Sequence, residues 1–189
     1  MDADKPVRPQ QTGTRDRIME AATAVAHAVG PAHLSLDAVA EQAGVSKGGL
    51  LYHFPSKVSL LKAIVERHLQ TIEHSAGMDR EGDLAEGGTV AIALMRGFCD
   101  TPSSKPGGSR GFLAAMAETP ELMEPIRAHN ERVAACLRKA SEPELALMAF
   151  LVVEGMRCLQ IFDTDPLTDN ERERILSLLA GRLSPAAPS

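Results

Sequence analysis

The chain is predicted to be all-α, and three observations carry that prediction. Apolar residues recur at helical spacing over most of the length, as in Ile18, Ala21, Ala22, Val25 and Val29. Ala, Leu, Met, Glu and Arg, all good helix formers, dominate the composition. Aromatics are only 3%, with five Phe, one Tyr and no Trp, where a sandwich or barrel would want more, together with β-branched alternation. A length of 189 residues, 44% hydrophobic and 24% charged, suits one well-cored domain or two small ones and excludes a disordered chain.

Residues 1–13 hold Pro6, Pro9 and Gly13 without periodicity and read as a flexible tail. A first helix starts at Thr14 and is ended by Gly30-Pro31. Ser35 reads as the N-cap of a second helix, with Leu34 and Val39 as its hydrophobic staple, and Gly44 stops it. Ser46 repeats the device for a short third helix to His53, stapled by Val45 and Leu50 and closed by Pro55. Ser56 caps a fourth helix through Leu61, Ile64, Val65 and Ile72.

Glycines 77, 82, 87 and 88 loosen the next stretch before helical spacing resumes at Ala91, Leu94, Met95 and Phe98. The Pro/Ser/Gly-rich segment from Thr101 to Ser109 is expected to be a loop, and Phe112 to Ala117 a short helix. A long amphipathic helix follows on Leu122, Ile126, His129, Val133 and Leu137, with Pro143 as its stop. Leu145 to Phe162 is apolar nearly all round and should be buried on two sides. Thr168 or Asp169 opens the last helix, bringing the expected count to about nine.

The longest uninterrupted apolar run, Leu145 to Val153, is nine residues, against the roughly twenty of a membrane span. Met1 to Pro6 carries no apolar signal segment. Cys99, Cys136 and Cys158 are odd in number and widely spaced, so no disulfide framework is expected and they read as buried structural thiols. A cytoplasmic protein without membrane contact is expected.

Charge divides the chain. Residues 1–76 carry 8 basic and 8 acidic side chains and five of the six histidines, which leaves 12 basic against 17 acidic in the rest. A neutral front and an acidic back suggest two working units. The overall charge of −5 argues against bulk attraction to nucleic acid, so any DNA contact must be local.

The local candidate is the pair of helices joined at Gly44. Ala40 is small enough for the helices to cross closely, Gly44 supplies a left-handed turn, and Val45 and Leu50 pack one helix on the other. That spacing alone fits many αα-hairpins. The complete run Gly44-Val45-Ser46-Lys47-Gly48-Gly49-Leu50-Leu51-Tyr52-His53-Phe54-Pro55-Ser56-Lys57, followed by Leu60-Leu61, is far more specific. It closely resembles the recognition segment of the tetracycline-repressor (TetR) family of bacterial one-component regulators, and the likeness extends from Thr14 to Leu69.

The resemblance implies a three-helix helix-turn-helix DNA-binding domain over residues 14–56, a connecting helix over 57–76 and an effector-binding and dimerisation domain over 77–184. It implies that the third helix enters the major groove, with Lys47, Gly48, Gly49 and Leu51 at the bases. Ser35, Ser46, Tyr52, His53 and Lys57 are then the phosphate contacts. The chain departs from the family at Leu51, where an aromatic is usual, so base preference is expected to lean on Lys47 and on DNA shape. The partners implied are a double-stranded palindromic operator, a small and mainly apolar effector, and a second copy docked through the last two helices. The most natural activity is that of a repressor released by its effector.

For an effector cavity the candidates are Met95, Phe98, Phe112, Met116, His129, Val133, Met148 and Val152, in keeping with the adaptability of Met in pockets. The same methionines and aromatics read mostly as core, and a His on an apolar stripe, as at His129, is usually a satisfied core residue. Glu154 and Arg157 sit at i, i+3 and can pair. No His-x-x-x-His or Cys-x-x-Cys pair, nucleophile elbow or phosphate loop occurs in the sequence, so no metal, cofactor or catalytic role is expected. Two rivals stay open: a helical protein-interaction module without DNA binding, and a hydrolase using Cys136 or Cys158 with His129.

Overall fold

The structure is a computed structural model and describes residues 13–78, 87–100 and 119–184. Among these residues it is all helical. Eight α-helices follow in order: α1 (Thr14–Val29), α2 (Leu36–Ala43), α3 (Lys47–His53), α4 (Lys57–Ser75), α5 (Gly87–Asp100), α6 (Met123–Leu137), α7 (Pro143–Phe162) and α8 (Asp169–Leu183). Single 3-10 turns, Pro31–His33 and Pro120–Leu122, precede α2 and α6. The expected helix over 112–117 lies outside the described residues, as do the loop over 101–109 and the tail over 1–12.

The caps account for most boundaries. Gly44 adopts φ 63° and ψ 40°, and the Gly44 and Val45 amides bond back to Glu41 and Ala40 carbonyls, ending α2 in a Schellman turn. The Ser46 hydroxyl accepts from the Gly49 amide. Ser56 with Ser59, and Thr168 with Glu171, form reciprocal capping boxes at the starts of α4 and α8. Ser35 stands at the N-cap of α2 with extended backbone, but its side chain makes no capping bond, so that part of the sequence reading is corrected. Pro143 is corrected as well. The preceding helix already ends at Leu137, and Pro143 is the first residue of α7, where its missing N–H costs nothing.

Two cores result. The first joins Ile18, Ala22, Leu34, Val39, Leu50, Phe54 and Leu60, all buried, and includes Leu122 from the 3-10 turn before α6. The second joins Val90, Met95, Phe98, Val133, Leu137, Val153, Met156 and Leu176. Helix α4 leaves the first core and packs against α6 and α5, so it is the mechanical link between the two.

The apolar helix α7 differs from expectation in one respect. Over an 18-residue window its mean hydropathy is 1.8, long and apolar enough by length and composition to cross a membrane. The shorter uninterrupted run understates this because Glu154 breaks it just past the middle of the helix, while apolar residues continue around Arg157 to Phe162. In the fold α7 buries Ala146, Ala149, Val153 and Met156 against its own core. Met148, Leu151 and Phe162, together with Leu178 of α8, stay outside.

The cysteines also need correction: Cys99 and Cys158 are exposed and Cys136 is half-buried. Both exposed thiols lie on helices whose apolar stripes face elsewhere.

Candidate nucleic-acid interface

Helix α3 is seated from behind and open in front. Leu50, fully buried, and Phe54 fix it to α1 and α2, and the Arg15 guanidinium stacks over the Phe54 ring at 5.2 Å. Arg17 of α1 reaches the exposed end of α2, where its Nη2 donates to the Ala43 carbonyl at 2.9 Å. A cation there satisfies an orphan carbonyl and complements the helix dipole. Helical periodicity marked α1 as a packing element and gave no sign of this anchoring role for Arg17.

The outward side carries the residues singled out from the sequence. Ser46, Lys47, Gly48, Leu51 and Tyr52 are all exposed, Tyr52 at 85%. An aromatic so far from any core contributes little to folding and is open to contact with another molecule. The Tyr52 and His53 rings meet edge to face at 5.2 Å, which steadies both. Gly48 and Gly49 project no side chain, leaving the backbone of the first turn open to close approach.

Two lysines are less free than the sequence suggests. Lys57 Nζ donates to the Ala32 carbonyl at 2.6 Å, tying the start of α4 to the 3-10 turn before α2. Lys47 Nζ lies 2.9 Å from Asp37 Oδ1 and 3.0 Å from Oδ2. Ser35 is exposed at the start of α2, on the same end of that helix as Asp37.

The effector candidates separate. Met95, Phe98 and Val133 are buried in one core, and the half-buried Val152 packs on it. Met148 is exposed on the far side of α7. Phe112 and Met116 lie outside the described residues. His129 is buried, with its Nδ1 donating to Glu73 Oε1 on α4 at 2.6 Å. Arg132 adds Nε and Nη2 contacts to the same carboxylate at 2.7 to 3.2 Å. Burial opposes ionisation of Glu73, but the hydrogen bonds from Arg132 and His129 outweigh it and hold the carboxyl below its usual range. Glu73 was not singled out in the sequence because a lone Glu on an amphipathic helix reads as solvated. Arg157 does pair with Glu154, at 3.3 Å, and its guanidinium lies over the Phe98 ring.

A cleft of about 420 Å³ opens elsewhere, between Ser75 at the end of α4 and Thr89, Ile92, Ala93, Arg96 and Gly97 on α5. Burial, only partly offset by Lys139, pushes the Cys136 thiol up, the opposite of what a cysteine nucleophile needs.

A short capped helix on a tight αα turn, joined by one long helix to a second helical core, defines a helix-turn-helix protein with a further C-terminal helical domain. The chain belongs to the TetR family of transcriptional regulators. Residues 18–64 match the family described as bacterial regulatory proteins, tetR family, and residues 88–184 match the tetracyclin repressor-like C-terminal domain.

Among curated relatives, the chain is similar to the uncharacterised HTH-type transcriptional regulator TtgW of Pseudomonas putida, 32% identical over 94 residues. That stretch is 49% of this chain and 67% of that protein. It is equally similar to the HTH-type transcriptional regulator SrpR of Pseudomonas putida, but there the match spans 42% of that protein. Among solved structures, a TetR-family member from Streptomyces coelicolor A3, SCO1917, superposes with a TM-score of 0.65 at 27% identity. The match covers 93% of this chain and 100% of that one. The multidrug binding protein EbrR complexed with malachite green superposes with a TM-score of 0.64 at 27% identity, covering 94% and 100%.

Proposed function

We propose that this regulator is a repressor that binds a palindromic operator as a homodimer and is released by a small, mainly apolar effector. The observation that carries the reading is the exposed face of α3. Tyr52, Leu51, Lys47 and the two glycines stand on one open surface while Leu50 anchors the helix behind them. In a dimer, two such helices about 34–36 Å apart enter successive major grooves. Lys47 reads a guanine edge, while Tyr52, His53, Lys57 and the starts of α2 and α3 at Ser35 and Ser46 hold phosphates.

The second copy docks on α7 and α8. Leu151 and Phe162 of α7 and Leu178 of α8 are 66%, 60% and 64% exposed, an apolar surface that a monomer would leave in water. Helix α4 transmits the effector's presence. It is clamped to α6 by Glu73 with His129 and Arg132, and by Lys62 with Glu124. Leu122 beside the second clamp belongs to the DNA-binding core, so a shift of α6 moves α4 and α3 together. The cleft beside Ser75 lies directly against α4. That EbrR is a multidrug binding protein seen with malachite green supports a small-molecule effector. An effector acts only through a difference in affinity between the two positions of α4. Such a protein works where the chromosome is, in the cytoplasm.

Fluorescence anisotropy with a mixed-sequence duplex tests the DNA-binding face. At low salt the wild type is expected to bind, and Tyr52→Ala to bind more weakly while melting at the same temperature. Equal binding by the two proteins, or none by either, overturns the assignment of this face.

A further inference from the structure

The surface that faces DNA contains a carboxylate. Asp37, in the first turn of α2, holds the Lys47 ammonium through both of its oxygens, at 2.9 and 3.0 Å. The two side chains are 69% and 57% exposed. An ion pair so open to water is worth little to folding. Asp37 also puts a negative charge on a surface that must meet a polyanion, which costs binding energy wherever it faces phosphates. In the fold Asp37 supplies a negative charge to the first turn of α2; its bidentate hold on Lys47 is what its position adds on this surface.

What surrounds Lys47 shows the use of that hold. The first turn of α3 offers few groups for reading a base. Gly48 and Gly49 have no side chain, and the Ser46 hydroxyl is held at the N-cap, where it accepts from the Gly49 amide. Leu51 can offer only apolar contact. Arg17 and Lys57 lie outside α3, and each donates to a backbone carbonyl, of Ala43 and of Ala32. Lys47 is therefore the polar group on which readout turns, and Asp37 decides where its ammonium points.

We infer that Asp37 is a specificity-determining residue: it positions the Lys47 ammonium for a base edge and withholds it from phosphate oxygens. The inference rests on α3 being the DNA-reading element. A lysine amine on a flexible four-carbon stem goes readily to the nearest phosphate, which carries no sequence information. Held by a carboxylate, it has a partner to lose, and a lone phosphate repays that loss poorly. Two acceptors side by side on a guanine edge repay it better. On random DNA, only the repulsion between Asp37 and phosphate is felt. On the operator, that repulsion is offset by correct placement of Lys47.

The test uses the full chain with two duplexes, an operator recovered by selection and a scrambled duplex of equal length. Asp37→Asn is expected to tighten scrambled binding about fivefold, the worth of one surface charge near a phosphate. The operator-to-scrambled ratio should fall by a similar factor. The salt slope on scrambled DNA should steepen by about one unit, because the freed Lys47 now neutralises a phosphate. The pair is exposed, and loss of the charge in the first turn of α2 should lower the variant's thermal midpoint by no more than about 4 °C. In a Lys47→Ala background, Asp37→Asn is expected to leave the ratio alone.

An unchanged ratio in the single variant overturns the inference. Weaker operator binding with unaltered scrambled binding also overturns it, since Asp37 would then read a base itself. A ratio that falls equally without Lys47 does the same. Failure of the wild type to bind any duplex would sink the DNA-binding reading instead, so the two failures are distinguishable.

Discussion

Glu73 of α4 and His129 of α6 meet at 2.6 Å, with Glu73 only 16% exposed and His129 buried beside it. The contact joins the helix that leaves the first core to a helix of the second. Arg132 completes the clamp from the same side of α6. A carboxylate withdrawn from water needs such donors, and the helices must be in register for it to have them.

Glu73→Gln is therefore expected to destabilise the fold by about 1–3 kcal/mol at neutral pH, read by urea denaturation. The pH dependence follows from the lowered carboxyl of Glu73. A carboxylate that is more acidic folded than unfolded stabilises the protein fully above its ordinary value. That contribution fades as pH falls through the lower, folded-state value. The stability gap between wild type and Glu73→Gln should narrow in acid. A gap that stays constant or widens there would contradict the clamp.

Much of this architecture is legible in the sequence because local chemistry and global packing agree. Ser46, Ser56, Thr168 and Gly44 announce helix boundaries that the fold keeps. Three kinds of feature were not legible. Partners far apart in sequence, such as Arg17 with Ala43 or Glu73 with His129, leave no periodic trace. Exposure on an apolar helix depends on which side the neighbours occupy, so Met148 reads as pocket lining and stands outside. Pro143 reads as a stop, although proline serves equally well as the first residue of a helix.

Lys57 has two expected effects. Its bond to the Ala32 carbonyl predicts that Lys57→Ala lowers folding stability by about 1 kcal/mol. As a proposed phosphate contact it also predicts that binding weakens on all sequences and that the salt slope flattens by about one unit. A stability loss with the slope intact would make Lys57 an anchor of α4 and nothing more.

Gly44→Ala isolates the turn. With φ at 63° a side chain is strained, yet the nearest atom to a new Cβ is the Arg17 guanidinium at 3.8 Å. The cost is then conformational rather than steric, about 1–2 kcal/mol in thermal or urea unfolding. A neutral effect would mean that the turn relaxes out of the left-handed region.

The exposed stripe of α7 and α8 is tested by Leu151→Asp. The residue is 66% exposed, so the chain's own fold should tolerate the charge while the partner's surface should not. Sedimentation is expected to show wild-type dimers and variant monomers at micromolar concentration. Dimers in both would place the subunit contact on another face.

The most direct measurement is selection of random duplex DNA by the purified wild-type chain at roughly physiological salt, where nonspecific binding is weak. A palindrome with half-sites about one helical turn apart is the predicted result. Because bound effector would mask binding, the selection is repeated on protein unfolded and refolded to strip small molecules. Failure to enrich any sequence in both rounds, or enrichment of single unrepeated sites, would contradict a dimeric operator-binding regulator.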